Sequence, residues 1–226
     1  MRIFRLLMMV LVLLLSGCRG IVPVERLPRD RADRLARVTA RLGSIIPYPG
    51  KEGRWRFLVV RGWTPRAEAD RSGEVRLTTG LLAFAKTDEL LAFALAHEMA
   101  HVALGDPGAQ QMQDVLRLLG GAVAGWAVSA VSGDPGLGLA SGAGFLMGSD
   151  LLLRRPGMRA REYRADAVAQ RWCVAAGYAE GCGERFWAAY EEARPVPESA
   201  EWLSKHPRDA KRRERLAGGV QGFMPR

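Results

Sequence analysis

In the stretch LAFALAHEMAHVALGD, residues 91–106, two imidazoles and a carboxylate stand where they could share a metal ion. His97 and His101 are four residues apart, so on a helix they lie one above the other, with Cβ atoms roughly 5–6 Å apart. Imidazoles so placed can converge on zinc at about 2.0–2.1 Å. Glu98 is rotated off their line, within reach of a water on that metal without being a ligand to it. The H-E-x-x-H pattern thus supplies two ligands and a base in one short segment. The chain has only three histidines, and chance yields such a pair with its Glu only about one or two times in a thousand. Without a metal, two histidines on an apolar helix would be buried polar groups in need of partners.

The third ligand is open at this point. A metzincin continuation is excluded, because it requires Gly where Leu104 stands and His where Pro107 stands. A distant carboxylate or His206 remains. Glu162 and Asp166, in REYRAD (161–166), are again four apart, with the small Ala165 and Ala169 beside them permitting close helix packing. Like charges at that spacing repel unless something positive lies near. Either Glu162 binds the metal and Asp166 accepts the free N–H of a ligand imidazole, or both are solvated acids balanced by Arg161 and Arg164.

The elements that must position these groups can be read from pattern. Leu35, Val38 and Leu42 give Arg31–Leu42 one apolar helical face, broken by Pro47, Pro49 and Gly50. Trp55–Val60 reads as a strand, and Glu74–Thr78 as a second strand after the Arg71-Ser72-Gly73 turn. A helical turn over Leu81–Ala85 leads to the histidine helix, capped by Thr87, with Asp88 and Glu89 in its first turn and Gly105 as its stop. Leu116–Leu153 is Gly/Ala-rich and apolar, interrupted by Ser132–Gly136, which predicts two helices in a hairpin. Arms of about sixteen residues are short for a bilayer span, where about twenty are needed. The expectation is therefore a hairpin packed on the domain, dipping into a membrane or covering the cleft. Helices over Arg159–Ala176 and near Glu184–Ala193 follow, and no internal repeat or second-domain boundary appears.

Arg2, Arg5 and the apolar run Leu6–Leu15 have the form of a signal peptide over residues 1–17. Leu15-Ser16-Gly17-Cys18 resembles a bacterial lipobox, which implies lipidation of Cys18, a membrane anchor and a tether over residues 18–29. Arg19 in place of aspartate favours the outer membrane over the inner one by the same resemblance, and hence a periplasmic address. The remainder, 30–226, suffices for one domain. Of the formal charge of +9, basic clusters lie at Arg154–Arg161 and Lys205–Arg215. No stacking-aromatic or finger motif accompanies them, so nucleic acid is not expected; solvated charge, or a face towards anionic lipid, accounts for them. Cys173 and Cys182 flank the Gly177 turn and, in an oxidising compartment, read as a possible disulfide.

HEMAH, then EYRAD after a Gly-rich apolar insertion, then SKHP with Arg212 beyond it, resemble metallopeptidase family 48. These are the HtpX- and Oma-type gluzincin zinc endopeptidases, with small periplasmic lipoprotein members. VRLTTGLL before the histidine helix and AGY after the Glu162 helix fit as well. The resemblance implies a predominantly helical α+β, zincin-like domain, with a small sheet whose edge strand faces the cleft. It implies one Zn²⁺ held by His97, His101 and Glu162, with Asp166 as a partner. Glu98 would be the catalytic base, His206 would stabilise an oxyanion, and Arg212 would pair with acidic groups near the site. Relatives carry Asn where Arg66 stands, so strand and substrate contacts there are open to difference. No tetratricopeptide repeats are expected after Arg215.

The resulting expectation is a periplasmic metalloendopeptidase in which Glu98 assists attack by zinc-held water on peptide bonds of unfolded or misassembled envelope proteins. Glu74–Thr78 would pair with the extended substrate. The alternative is a zinc-stabilised chaperone or assembly factor for outer-membrane proteins that binds without cutting.

Overall fold

The structure, a computed structural model, describes residues 20–48, 53–193 and 210–217. Cys18 and His206 lie outside the described residues. Helix α1 (Arg29–Ile45) buries Leu35, Val38 and Leu42, the stripe expected from its periodicity. Three strands follow: β1 (Arg56–Val60), β2 (Ala67–Ala69) and β3 (Glu74–Thr78). Val75 and Leu77 of β3 point inward and are fully buried, as strand alternation requires.

The strand order is β1-β3-β2, with β1 parallel and β2 antiparallel to β3. Glu74–Thr78 is therefore central, which corrects its assignment as the strand that pairs with substrate. The edge beside the histidine helix belongs to β2, a strand too short to register in the sequence pattern. Arg66, which precedes it, is buried and paired with Glu68 at 2.7 Å, and its backbone N–H donates to Thr78 Oγ1.

Thr78 ends β3 and caps helix α2 (Thr79–Phe84) by accepting from the Leu81 N–H. Gly80 is obligatory here: a Cβ on it would sit 2.2 Å from the Trp63 carbonyl oxygen. Helix α3 (Asp88–Ala103) is capped by Thr87, as expected, and is buried on nearly every side. It ends at Gly105, whose φ of 74° is the left-handed conformation that glycine adopts without cost. That turn leads directly into α4 (Asp106–Ser132), followed by α5 (Pro135–Ser149), a π-helical turn (Asp150–Arg154), α6 (Arg155–Ala175), α7 (Cys182–Ala193) and α8 (Ala210–Ala217). Around α3 pack α1, the sheet, α6, and Phe186, Trp187 and Tyr190 of α7.

Three further expectations need correction. The segment read as a tether is docked from Ile21 onward: Val22 N–H donates to the Val59 carbonyl, and Leu27 is buried. Among the described residues, only the base of the hairpin packs on the domain. Its arms pack on each other, and of α4 only Asp106 and Gly121 are buried. Cys173 and Cys182 are free thiols in the core, with Cys182 Sγ donating to Gln170 Oε1 at 3.3 Å. The neighbouring Cys182, then burial, push the Cys173 thiol well above its ordinary range, so Cys173 is not poised as a thiolate.

Candidate metal centre

His97 and His101 project from α3 towards α6, as their spacing requires. The two helices pack together, and alanines flank the ligands on both, Ala96 and Ala100 on one side and Ala165 and Ala169 on the other, all fully buried. Small residues at such a crossing let the backbones approach closely, which brings Glu162 within reach of both imidazoles. His97 Nε2 lies 3.1 Å from His101 Nε2 and 3.3 Å from Glu162 Oε2. His101 Nε2 lies 3.5 Å from Glu162 Oε1. Glu162, not a solvated acid, completes the cluster.

Each imidazole is oriented from behind by its own carboxylate. Asp166 Oδ1 lies 3.0 Å from His97 Nδ1, the place expected for it. Asp106 Oδ2 lies 2.9 Å from His101 Nδ1, and Asp106 was not anticipated. It stands at the first position of α4, where the left-handed turn at Gly105 folds it back against the helix just left. A carboxylate five residues beyond a ligand histidine and directly after a glycine was the only trace of it in the sequence. Both carboxylates select the tautomer that carries hydrogen on Nδ1, leaving the two Nε2 lone pairs aimed at one point.

Arg212, from α8, is the cation of the cluster. It is 1% exposed. Its Nε and Nη2 grip Asp166 Oδ2 and Oδ1, each at 2.7 Å, while Nη1 lies 2.8 Å from Glu162 Oε2. The guanidinium stacks on the Trp187 ring at 4.0 Å, a cation–π contact inside the core. The expected pairing of Arg212 with acids near the site is thus what the structure places there. Burial works against the charge of all three groups, but mutual attraction outweighs it. Arg212 and His97 hold the Asp166 carboxyl below its usual range. Asp166 and then Glu162 raise His97 from 6.5 to about 9. Asp166 and Glu162 likewise raise Arg212.

The donor set fits a divalent metal. Tetrahedral zinc with bonds of about 2.0–2.1 Å places its ligand atoms roughly 3.3–3.4 Å apart; the three separations here are 3.1, 3.3 and 3.5 Å. Among the described residues, His97, His101 and Glu162 form the cluster whose ligand atoms lie close enough to share an ion. Glu98 is 4% exposed and lines the same cleft as His101 and Glu162. The cleft, about 490 Å³, is bounded by Glu68 and Ala69 of β2 on one side and by Pro107, Val115 and Leu118 of α4 on the other. A catalytic site needs ligands, a base beside them and an open approach, and all three meet here.

Comparison with known families matches residues 29–219 to the model described as Peptidase family M48. No curated protein matches the chain. The family match covers most of the sequence, and the chain belongs to this family of zinc metallopeptidases.

Three outcomes follow from the geometry. Asp106→Asn, which removes the anchor of His101, is expected to weaken zinc binding by about 10–100-fold in competition with a chelating dye. Arg212→Met leaves two buried carboxylates with His97 as their remaining close cation and should destabilise the metal-free protein by about 3–5 kcal/mol in urea unfolding, with saturating zinc restoring part of the loss. Because the raised His97 holds its proton below about pH 9, a metal must displace it. Zinc affinity should therefore fall as pH drops below that value, and calorimetry at neutral pH in buffers of differing ionisation enthalpy should register proton release.

Proposed function

We propose that the chain is a zinc-dependent endopeptidase, anchored on the periplasmic side of the bacterial envelope, that cuts unfolded or misassembled envelope proteins. The observation that carries this reading is Glu98, a carboxylate beside the ligands and on the open side of the cluster. A site that served only to stabilise the fold would have no use for it.

Zinc held by His97, His101 and Glu162 would bring the pKa of a bound water to about 7 and polarise the scissile carbonyl. The chain's own groups do the rest. Glu98 accepts a proton from the attacking water and passes it to the leaving amine. Asp106 and Asp166 keep both imidazoles in register, and Arg212 pairs with Glu162 and holds the buried Asp166 carboxyl ionised. His206, in the SKHP motif, is assigned to the developing oxyanion on the family resemblance.

The position of β2 at the edge of the sheet among the described residues, along the cleft, supports recognition of substrate by strand addition, in which backbone hydrogen bonds give affinity with little demand on side chains. Such a groove accepts an extended segment and rejects a folded domain. Lipidation at Cys18, with Arg19 after it, supports an outer-membrane address.

Casein or another unfolded protein is the appropriate substrate. Wild-type protein loaded with zinc should cleave it, and Glu98→Gln should lower the rate on the order of 10²–10⁴-fold while retaining the metal. A chelator should abolish cleavage, and added zinc should restore it. Full zinc occupancy with no cleavage by the wild type would leave the binding-only assembly factor as the better reading.

A further inference from the structure

We infer that the α4–α5 hairpin is a membrane-inserting element, planted in a lipid bilayer with the Asp134 turn leading and the metal cleft left at the headgroup surface. The hairpin is turned inside out relative to a soluble protein. Its two arms meet through glycines: a Cβ on Gly142 would sit 2.8 Å from the Gly121 carbonyl oxygen, and one on Gly138 would sit 2.5 Å from that of Gly125. Close backbone approach of this kind holds helices together where no hydrophobic force between them is available.

The large side chains then point outward. Leu119, Val123, Trp126, Val131, Leu139 and Met147 are between 58% and 91% exposed. They lie on the faces of both arms turned away from the glycine seam, which point in opposite directions, so one protein partner on one side could not cover them. A helix apolar on all sides belongs either in a protein core or in lipid. In α4 the most apolar window is only 6% buried, which excludes the core.

Charge is distributed as a bilayer requires. No ionisable residue occurs over 118–133 or 135–149. Each arm therefore carries roughly 22–24 Å of uncharged helix, against about 30 Å of hydrocarbon in an average bilayer. Local thinning, or a membrane thinner than average, closes that difference. At the base, Arg117 is paired with Asp150 at 3.5 Å, and Arg154, Arg155 and the exposed Arg159 follow in sequence, where anionic headgroups would lie. At the tip, the Asp134 carboxylate caps α5 by accepting from the Gly136 and Leu137 N–H groups. A carboxylate is costly in hydrocarbon, so the turn must reach the opposite headgroups and not stop midway. Val115 and Leu118 of the hairpin base also line the metal cleft. Insertion would thus set the cleft beside the bilayer surface, where it meets chain segments emerging from lipid.

The test uses the full chain in vesicles of phosphatidylethanolamine and phosphatidylglycerol containing a lipid-dissolved aryl diazirine. After photolysis, trypsin cuts at Lys86, Arg117 and Arg154 and releases 87–117 and 118–154 as separate fragments. The hairpin fragment 118–154 should carry on the order of tenfold more label than 87–117, which holds the buried histidine helix. Val123→Lys with Leu139→Lys should bring the two fragments level. Label confined to residues 1–17, or equal labelling of both fragments in the wild type, would overturn the inference. So would hairpin-to-hairpin cross-links between copies without labelling, which would assign the surface to self-association.

Discussion

Everything in this fold answers to one electrostatic constraint: two carboxylates, Glu162 and Asp166, are held almost out of water one helical turn apart. Neither could remain ionised there alone, since burying an unpaired charge costs several kcal/mol. Arg212 resolves the conflict by bridging both, and it reaches them only because α8 packs against α6 and α7 with the guanidinium stacked on Trp187. His97 adds partial positive character on the far side of Asp166. The cluster is therefore a shared balance in which each group keeps its neighbour charged, and the metal-binding face of Glu162 is one product of it.

That balance also explains why the surroundings are so apolar and so finely packed. Ala96, Ala100, Ala165 and Ala169 allow the α3–α6 approach that sets the ligand separations; a larger residue at that crossing would push Glu162 away from the imidazoles. The wall of α3 opposite the cluster is closed by the sheet and α1, while the protonated side of His97 is closed by Asp166 of α6. On the remaining side the cleft is open between β2 and the base of α4. The same α4 begins by anchoring His101 through Asp106 and continues into the hairpin, so one helix serves both the ligand set and the exposed apolar surface.

What could be read in advance was whatever local spacing encodes. HEMAH announces two ligands and a base because the helical period alone puts them together, and Thr87 and Gly105 mark the ends of that helix by local hydrogen bonding and backbone freedom. Glu162, Asp166 and Arg212 were accessible through i,i+4 spacing and family resemblance. Asp106 was not, because its partnership arises from a chain reversal. The order of the strands was hidden for the same reason: β2 is three residues long, and nothing local says that β3 lies between its neighbours. The hairpin was legible as two helices but not as a self-packed projection, since composition does not reveal whether apolar side chains face a core or the outside. The cysteine pair looked like a disulfide by spacing and compartment, while the fold holds both thiols free in the core.

The central claim is that this buried cluster is a zinc site of two imidazoles and a carboxylate. Zinc K-edge X-ray absorption of the loaded protein tests it most directly. Only nitrogen and oxygen neighbours at about 2.0–2.1 Å are expected, with the outer-shell scattering of two imidazoles. A sulfur neighbour at about 2.3 Å, or a shell without imidazole scattering, would contradict it.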